Sequence, residues 1–97
     1  MPQFAVEFHP LAADEAQAAE RWYRERNETA SGRLQRELDR AIERISERPE
    51  TRSLYLSNTR RVLRRFPFFV VYRVRGGDLE IIAVAHAHRR PGYWRAR

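Results

Sequence analysis

The sequence predicts a single α+β domain over residues 1–97, with the order β-α-α-β-β-β and an antiparallel sheet packed against an antiparallel two-helix hairpin. A chain of 97 residues has room for one hydrophobic core. Apolar residues recur at helical spacing in the first half of the chain, whereas the second half carries runs rich in β-branched and aromatic residues. Helices followed by consecutive strands are typical of an α+β fold.

The first half of the chain predicts one strand and two helices. FAVEF at residues 4–8 alternates like a half-buried strand, which we place at the edge of the sheet. Pro10 suits the first position of a helix that runs to about Asn27, and a short turn is expected at residues 28–32. A second amphipathic helix follows and stops before Pro49.

The two predicted helices are expected to form an antiparallel hairpin, because the connection between them is short. Their apolar stripes then share one core. Asp14 and Glu15 are expected in the opening turn of the first helix, where the helix dipole favours negative charge.

The second half predicts a loop and three consecutive strands. Residues 49–58 show no strong periodicity and are expected to form the loop. The strands TRRVLRRF, FFVVYRV and LEIIAVAHA follow, and Gly76-Gly77 supplies the turn between the last two because glycine adopts positive φ freely. The middle strand is apolar on both faces, so we expect it to be central and covered by the helix hairpin.

The charge of the chain points to an acidic partner. The net charge is +6 and all 19 basic residues are arginines, which recognise phosphate or carboxylate in a bidentate manner. The lack of cysteine excludes disulfides and thiolate zinc sites, and no apolar run is long enough to span a membrane. We therefore expect a cytoplasmic protein that binds nucleic acid or an acidic protein segment.

The run HAHRRPGYWRAR at residues 86–97 holds the candidate chemistry. Its two histidines are too few for a metal site and it has no carboxylate, so we expect no metal and no cofactor. A metal-free ribonuclease needs a base, an acid and a cation. Alternatively, the first histidine caps the strand end through a backbone hydrogen bond and the aromatic pair forms a clasp on the sheet. The candidates for catalysis are His86, His88, Arg89 and Tyr93.

Arginines of the predicted sheet suggest a binding surface. They flank Val62 and Leu63 on the first strand of the meander and continue onto the later strands, where they would form one basic face. Charges on an edge strand also serve to prevent aggregation, which is the alternative explanation. The candidates for target or nucleic-acid binding are Arg60, Arg61, Arg64, Arg65, Arg89, Arg90, Tyr93, Trp94 and Arg95, with Arg73 and Arg75 extending the face.

Several segments resemble the ParE/RelE superfamily of toxins from bacterial type II toxin-antitoxin modules. They are AERWYRERN, RRVLRRFPFFVVYRV and above all IIAVAHAHRRPGYWRAR, and the resemblance covers essentially the whole chain. The resemblance implies a compact fold of the order derived above and a toxin neutralised by a cognate antitoxin with an acidic and apolar segment. It also implies that operator DNA is bound only through the antitoxin complex.

The resemblance is closer to the ParE branch than to the RelE branch. RelE-like nucleases carry an arginine on the central strand, where this sequence has Phe69, and two spaced basic residues on the preceding strand, where it has Arg60 and Val62. The arginine of the last strand is retained as Arg89, but the terminal aromatic is shifted by a position or two. Each lost donor at a phosphate site removes about 3 kcal/mol of transition-state stabilisation.

Three functional hypotheses follow from the resemblance. The first is a ParE-like toxin that arrests growth by poisoning DNA gyrase through its basic sheet face and C-terminal run. The second is a RelE-like, metal-independent endoribonuclease that cleaves messenger RNA on the ribosome. The third is a regulatory member that binds only its antitoxin and operator. We favour the gyrase-directed toxin.

Overall fold

A computed structural model of the chain describes residues 4–48, 54–55, 59–63 and 66–97. Within these residues the order β-α-α-β-β-β of the longer elements is confirmed, and a two-residue strand is added before the meander. The elements are β1 (Ala5–Phe8), α1 (Pro10–Arg26), α2 (Glu28–Glu47), β2 (Leu54–Tyr55), β3 (Thr59–Leu63), β4 (Phe68–Arg75) and β5 (Asp78–His86).

The sheet has the strand order β1-β5-β4-β3-β2 and is mixed. Strands β3 to β5 pair antiparallel and β1 lies at an edge, as expected. Strand β2 also pairs antiparallel with β3, so the prediction of a loop over residues 49–58 is wrong at Leu54–Tyr55. However, β1 runs parallel to β5, with Ala5 opposite Asp78 and Phe8 opposite Ile81, so the prediction of a fully antiparallel sheet is wrong on this point. Alternation along a strand fixes which residues face the core, whereas the direction of β1 depends on the helix pair that separates it from the other strands.

Helix α1 begins where the sequence predicts. The Leu11 N–H donates a hydrogen bond to Nδ1 of His9, the residue before the helix, at 3.1 Å, and Pro10 occupies the first helical position. Neither Asp14 nor Glu15 lies in the first turn, since that turn contains no acidic residue. Glu15 instead has a different role, described below.

The connection between the helices is shorter than predicted. Asn27 is extended, with φ −166°, and ends α1, while its side chain accepts a hydrogen bond from the Ala30 N–H at 3.2 Å and begins α2. Residues 28–32 are therefore the first turn of α2 rather than a loop. Because one residue caps both helices, α2 follows α1 directly. Neither helix, nor any other in the described part of the chain, is long and apolar enough to cross a membrane.

The core has two halves, one on each side of β4 and β5. The half under the helices contains Ala12, Ala41, Ile45, Val70, Tyr72, Leu79, Ile81 and Val84. The half on the opposite side contains Phe69, Val71, Ile82, Ala83, Ala85 and Trp94. The expectation that helices cover the central strand is thus confirmed for one face, while the other face is covered by the C-terminal segment.

A β-bulge in β5 explains how consecutive residues share one face. Tyr72 pairs with Ile81 and Val71 pairs with Ala83, so Ile82 is the extra residue on β5. Ile82 and Ala83 therefore lie in the same half of the core, away from the helices. After the bulge, Val84 again faces the helices.

Candidate functional site

The chain after β5 folds back as a C-terminal hook, which we define as residues 87–97. A series of tight turns forms it, in which the Arg89, Arg95 and Arg97 N–H groups donate to backbone oxygens three residues earlier. Gly92 is required in this path, since its φ is +83° and a Cβ would lie 2.9 Å from Nε of Arg95. The hook returns to the sheet and buries Trp94, which is 1% exposed.

Glu15 of α1 fastens the hook. Its carboxylate accepts a hydrogen bond from the Tyr93 hydroxyl at 2.7 Å and two from the Arg97 guanidinium at 2.9 and 3.0 Å. Arg89 lies 3.6 Å away on the same carboxylate. The side chains of Glu15 and Arg97 are 15% and 11% exposed, so this is a largely buried ion pair with additional hydrogen bonds.

The position of Glu15 follows from where β1 stops. Strand β1 pairs with β5 only as far as Ile81, which leaves the next polar groups on that edge of β5 without a strand partner. The Val84 N–H donates to Glu15 at 3.0 Å, and Arg97 donates to the Ile82 carbonyl at 3.0 Å. The ion pair thus satisfies the backbone groups that a longer β1 would have satisfied.

The hydrogen bonds fix the protonation of this cluster. Burial alone would raise the pKa of Glu15, but the hydrogen bonds from Arg97, Tyr93 and the Val84 N–H outweigh it and hold the pKa below its ordinary value. Burial and the hydrogen bond to Glu15 raise the pKa of the Tyr93 hydroxyl. The hydrogen bond to Glu15 likewise raises the pKa of Arg97. At neutral pH the carboxylate and guanidinium are charged and the phenol keeps its proton.

A groove of about 420 Å³ opens between α1 and the hook. We call it the α1 groove. Its walls are mainly aromatic and small apolar side chains, and Trp22 on its rim is 51% exposed. Its charged or titratable lining residues include Glu15, His86 and Arg89. The lining residues are Glu15, Ala18, Ala19, Trp22, Tyr23, Pro67, Phe68, Val84, His86, Arg89 and Tyr93.

The structure brings three of the four catalytic candidates together at this groove. Nδ1 of His86 accepts a hydrogen bond from the His88 N–H at 3.1 Å, and the His86 ring stands edge-on to Phe68 with centroids 5.0 Å apart. The Arg89 guanidinium lies 3.8 Å from the centroid of the Tyr93 ring. His88 is exposed and lies outside the groove lining.

The binding candidates separate into distinct environments. Arg90 and Arg95 are exposed on the hook. Trp94 is part of the core, so in this conformation it is an anchor of the hook and cannot contact a target, contrary to its place among the predicted binding residues. Of the strand candidates, Arg60 and Arg61 belong to β3, whereas Arg64 and Arg65 lie outside the described residues.

The two arginines proposed to extend the basic face differ from each other. Arg73 pairs with Glu80 at 2.6 Å and donates to the Arg97 backbone oxygen at 3.3 Å, so its charge is compensated and it holds the hook. Arg75 is exposed at the end of β4. Part of the predicted basic face is therefore structural.

The chemistry available at the groove is mainly that of binding. A ribonuclease needs a base and an acid that can exchange protons with substrate, and a cation facing the phosphate. Here the Tyr93 hydroxyl donates to Glu15, Arg89 lies beside the same carboxylate, and Nδ1 of His86 accepts a backbone N–H. The Tyr93 hydroxyl is thus engaged by Glu15 and Nδ1 of His86 by the backbone, while the Arg89 side chain stays 55% exposed. Among the described residues, no three His, Asp or Glu side chains are grouped to hold a metal.

The sequence analysis missed the central role of Glu15. A signal was present, because Glu15 stands three residues after Ala12 and four before Ala19, both of which are buried. An acidic residue at helical spacing within an apolar stripe requires a cationic or hydrogen-bonding partner. The identity of that partner, 82 positions away in Arg97, is not available from local pattern.

Comparison with known proteins agrees with this architecture. A family model described as the ParE toxin of the type II toxin-antitoxin system parDE matches residues 6–91. A solved structure of the chromosomal ParDE toxin-antitoxin system from P. aeruginosa has a similar fold, with a TM-score of 0.74, 19% identity, and coverage of 87% of this chain and 96% of that one. None of the curated proteins compared matches the chain. On the extent of the family match, the chain belongs to the ParE toxin family of type II toxin-antitoxin systems.

Proposed function

We propose that this toxin arrests growth by poisoning DNA gyrase and is neutralised by a cognate antitoxin that occupies the α1 groove. The observation that supports the choice of target is the hydrogen bond from the Tyr93 hydroxyl to Glu15, which commits the candidate nuclease acid to holding the hook. A protein that acts on gyrase works in the cytoplasm. Operator DNA is contacted through the antitoxin complex.

The α1 groove suits an antitoxin segment that is both apolar and acidic. Trp22 offers a large exposed aromatic surface, and aromatic residues dominate the binding energy of protein interfaces. Arg89 also lines the groove with 55% of its side chain exposed, so it can pair with a carboxylate of the partner. The net charge of +6 steers such a segment toward the toxin.

The hook suits gyrase recognition because it holds exposed arginines on a rigid support. Arg90 and Arg95 are exposed on the turns that surround Trp94, and neither side chain forms an ion pair with another described residue. Anchoring by Trp94 and Arg97 limits the conformational entropy lost on binding. Trp94 thus serves as a positioning residue, while the arginines make the contacts.

A supercoiling assay tests the proposal. Purified toxin is added to DNA gyrase and relaxed plasmid, and both supercoiling and trapped cleavage complexes are scored. We expect the wild-type toxin to inhibit supercoiling and to cause broken DNA to accumulate. The variant Arg90→Glu/Arg95→Glu should need a toxin concentration about tenfold higher or more for the same inhibition, because like charges at an interface oppose association. Arg21→Glu/Arg24→Glu changes the same charge at exposed sites of α1 and should leave inhibition unchanged.

The alternative of a RelE-like endoribonuclease rests on one observation, the convergence of His86, Arg89 and Tyr93 at one groove. It predicts that gyrase is unaffected by toxin that still arrests growth, and that messenger RNA is cleaved on the ribosome. Arg89→Ala would then abolish cleavage. That result would overturn the gyrase proposal and assign catalytic roles to these groups.

A further inference from the structure

Helix α2 carries an outward-facing series of arginines that the hook and the α1 groove do not use. Arg33, Arg36, Arg40 and Arg44 recur at intervals of three, four and four, and all four are exposed. At 3.6 residues per turn they fall within an arc of about 80° and extend over about 16 Å of helix. We call these four residues the arginine row.

The members of the row form no ion pairs within the described part of the fold. By contrast, ion pairs are formed there by Arg24, Arg26, Arg73, Arg89 and Arg97. Like charges four residues apart destabilise a helix by about 0.2–0.5 kcal/mol per pair. The row contains two such pairs, Arg36 with Arg40 and Arg40 with Arg44. Glu37, Glu43 and Glu47 stand three or four positions from members of the row and offset part of this repulsion, and an external anion would relieve the remainder.

Three members of the row line an open cleft of about 540 Å³ beside α2. Its other lining residues are Glu37, whose side chain makes no ion pair with the described residues, and Phe66. The Phe66 ring stands edge-on to Tyr23, with centroids 5.2 Å apart, so it is already engaged with the protein. The cleft is therefore lined mainly by charged side chains, of which three are cationic and one is anionic, together with a single aromatic ring.

We propose that the arginine row binds the phosphate backbone of duplex DNA. Each strand of duplex DNA carries one phosphate per about 3.4 Å of axis, so it presents a continuous series of anions to a straight series of cations. Acidic side chains on a protein surface are scattered by comparison. The core of a protein–protein interface is apolar, whereas Phe66 is the one apolar side chain that lines this cleft among the described residues. Single-stranded nucleic acid needs free aromatic faces for stacking, which this cleft does not provide.

The binding is independent of base sequence. Guanidinium groups on an exposed helix face bind phosphate oxygens in a bidentate manner, and phosphate contacts carry no sequence information directly. The inference goes beyond the proposed function, since a gyrase poison or an antitoxin partner does not require it. It adds a direct contact with DNA to the one expected through the antitoxin complex.

Salt-dependent binding of the full-length chain to a labelled duplex of about two helical turns tests this inference. Each phosphate contact contributes about −0.9 to the slope of log K against log salt concentration. We expect Arg36→Gln/Arg40→Gln to make that slope less steep by about 2. The matched control Arg21→Gln/Arg24→Gln removes the same charge at exposed sites of α1 outside the cleft and should leave the slope nearly unchanged.

Three results would overturn the inference. Equal changes of slope in the two double variants would show that the net charge of the protein, and not the arginine row, determines DNA binding. Tighter binding of single-stranded DNA of the same length would assign the row to a different nucleic acid. Row-dependent binding of a polyglutamate peptide, with no row dependence for duplex DNA, would make the row a surface for an acidic protein. Circular dichroism of all variants confirms that exposed substitutions leave the fold intact.

Discussion

The two faces of the central sheet are covered in different ways. Under the helices, α1 and α2 contribute three of the buried residues and several partly buried ones. On the opposite face, the cover comes from the hook, through Trp94 with Tyr93 beside it. The helical face distributes its stability over many contacts, whereas the hook face concentrates it in one side chain. The segment that we propose to contact gyrase is therefore also part of the core.

This difference predicts a large effect at Trp94. Replacing it with alanine removes the main cover of one face, and we expect Trp94→Ala to lower the free energy of unfolding by about 3–5 kcal/mol. Urea denaturation provides the measurement. Trp22→Ala is the matched control, because Trp22 is exposed and its loss should change stability by less than about 1 kcal/mol. If Trp94→Ala and Trp22→Ala lowered the free energy of unfolding by similar amounts, the claim that Trp94 belongs to the core and Trp22 does not would be contradicted.

The same reasoning predicts that deletion of residues 91–97 does not map the gyrase contact. The deletion removes Trp94 together with the Arg97 partner of Glu15, so it exposes the core half opposite the helices. Loss of growth arrest would then accompany loss of folding. We expect the truncated chain to lack a cooperative unfolding transition, and a truncated chain that unfolds cooperatively would contradict this account.

A smaller effect is expected at Glu15, which joins the two regions. Glu15→Gln preserves shape but leaves the largely buried Arg97 without a charged partner, and we expect a loss of about 2–3 kcal/mol in the free energy of unfolding. Glu20→Gln is the control, since Glu20 pairs with the exposed Arg24 and should cost less than about 0.5 kcal/mol. Equal losses would show that the hook does not depend on this carboxylate.

The pH dependence of stability sharpens the same point. The pKa of Glu15 is lowered by folding, so its contribution is fully present above its ordinary value of 4.5 and declines as the pH falls through the folded value. The pKa of Tyr93 is raised, so its contribution is present below 10.0 and declines at higher pH. We expect the difference in unfolding free energy between wild type and Glu15→Gln to shrink at acid pH. A difference that is constant down to pH 2 would contradict this.

The helix-covered region could be predicted from sequence and much of the hook could not. The helical periodicity of apolar residues predicted α1 and α2, and the β-branched and aromatic composition predicted β3 to β5. Both predictions were possible because these signals are local in the sequence. The direction of β1 and the bulge at Ile82 depend on how distant segments pair. The aromatic clasp at Trp94 was among the alternatives, but its fastening by Glu15 was not, since it needs both the early end of β1 and the path of the hook.

The most direct test of the central claim compares wild type and Tyr93→Phe in the gyrase supercoiling assay. The substitution keeps the ring beneath Arg89 and removes only the hydroxyl that donates to Glu15. If the hook is a rigid docking element, both proteins, folded at the assay temperature, should inhibit gyrase at concentrations within about threefold of each other. If the wild type leaves gyrase unaffected and cleaves messenger RNA while Tyr93→Phe does not, the hydroxyl is catalytic and the claim is wrong.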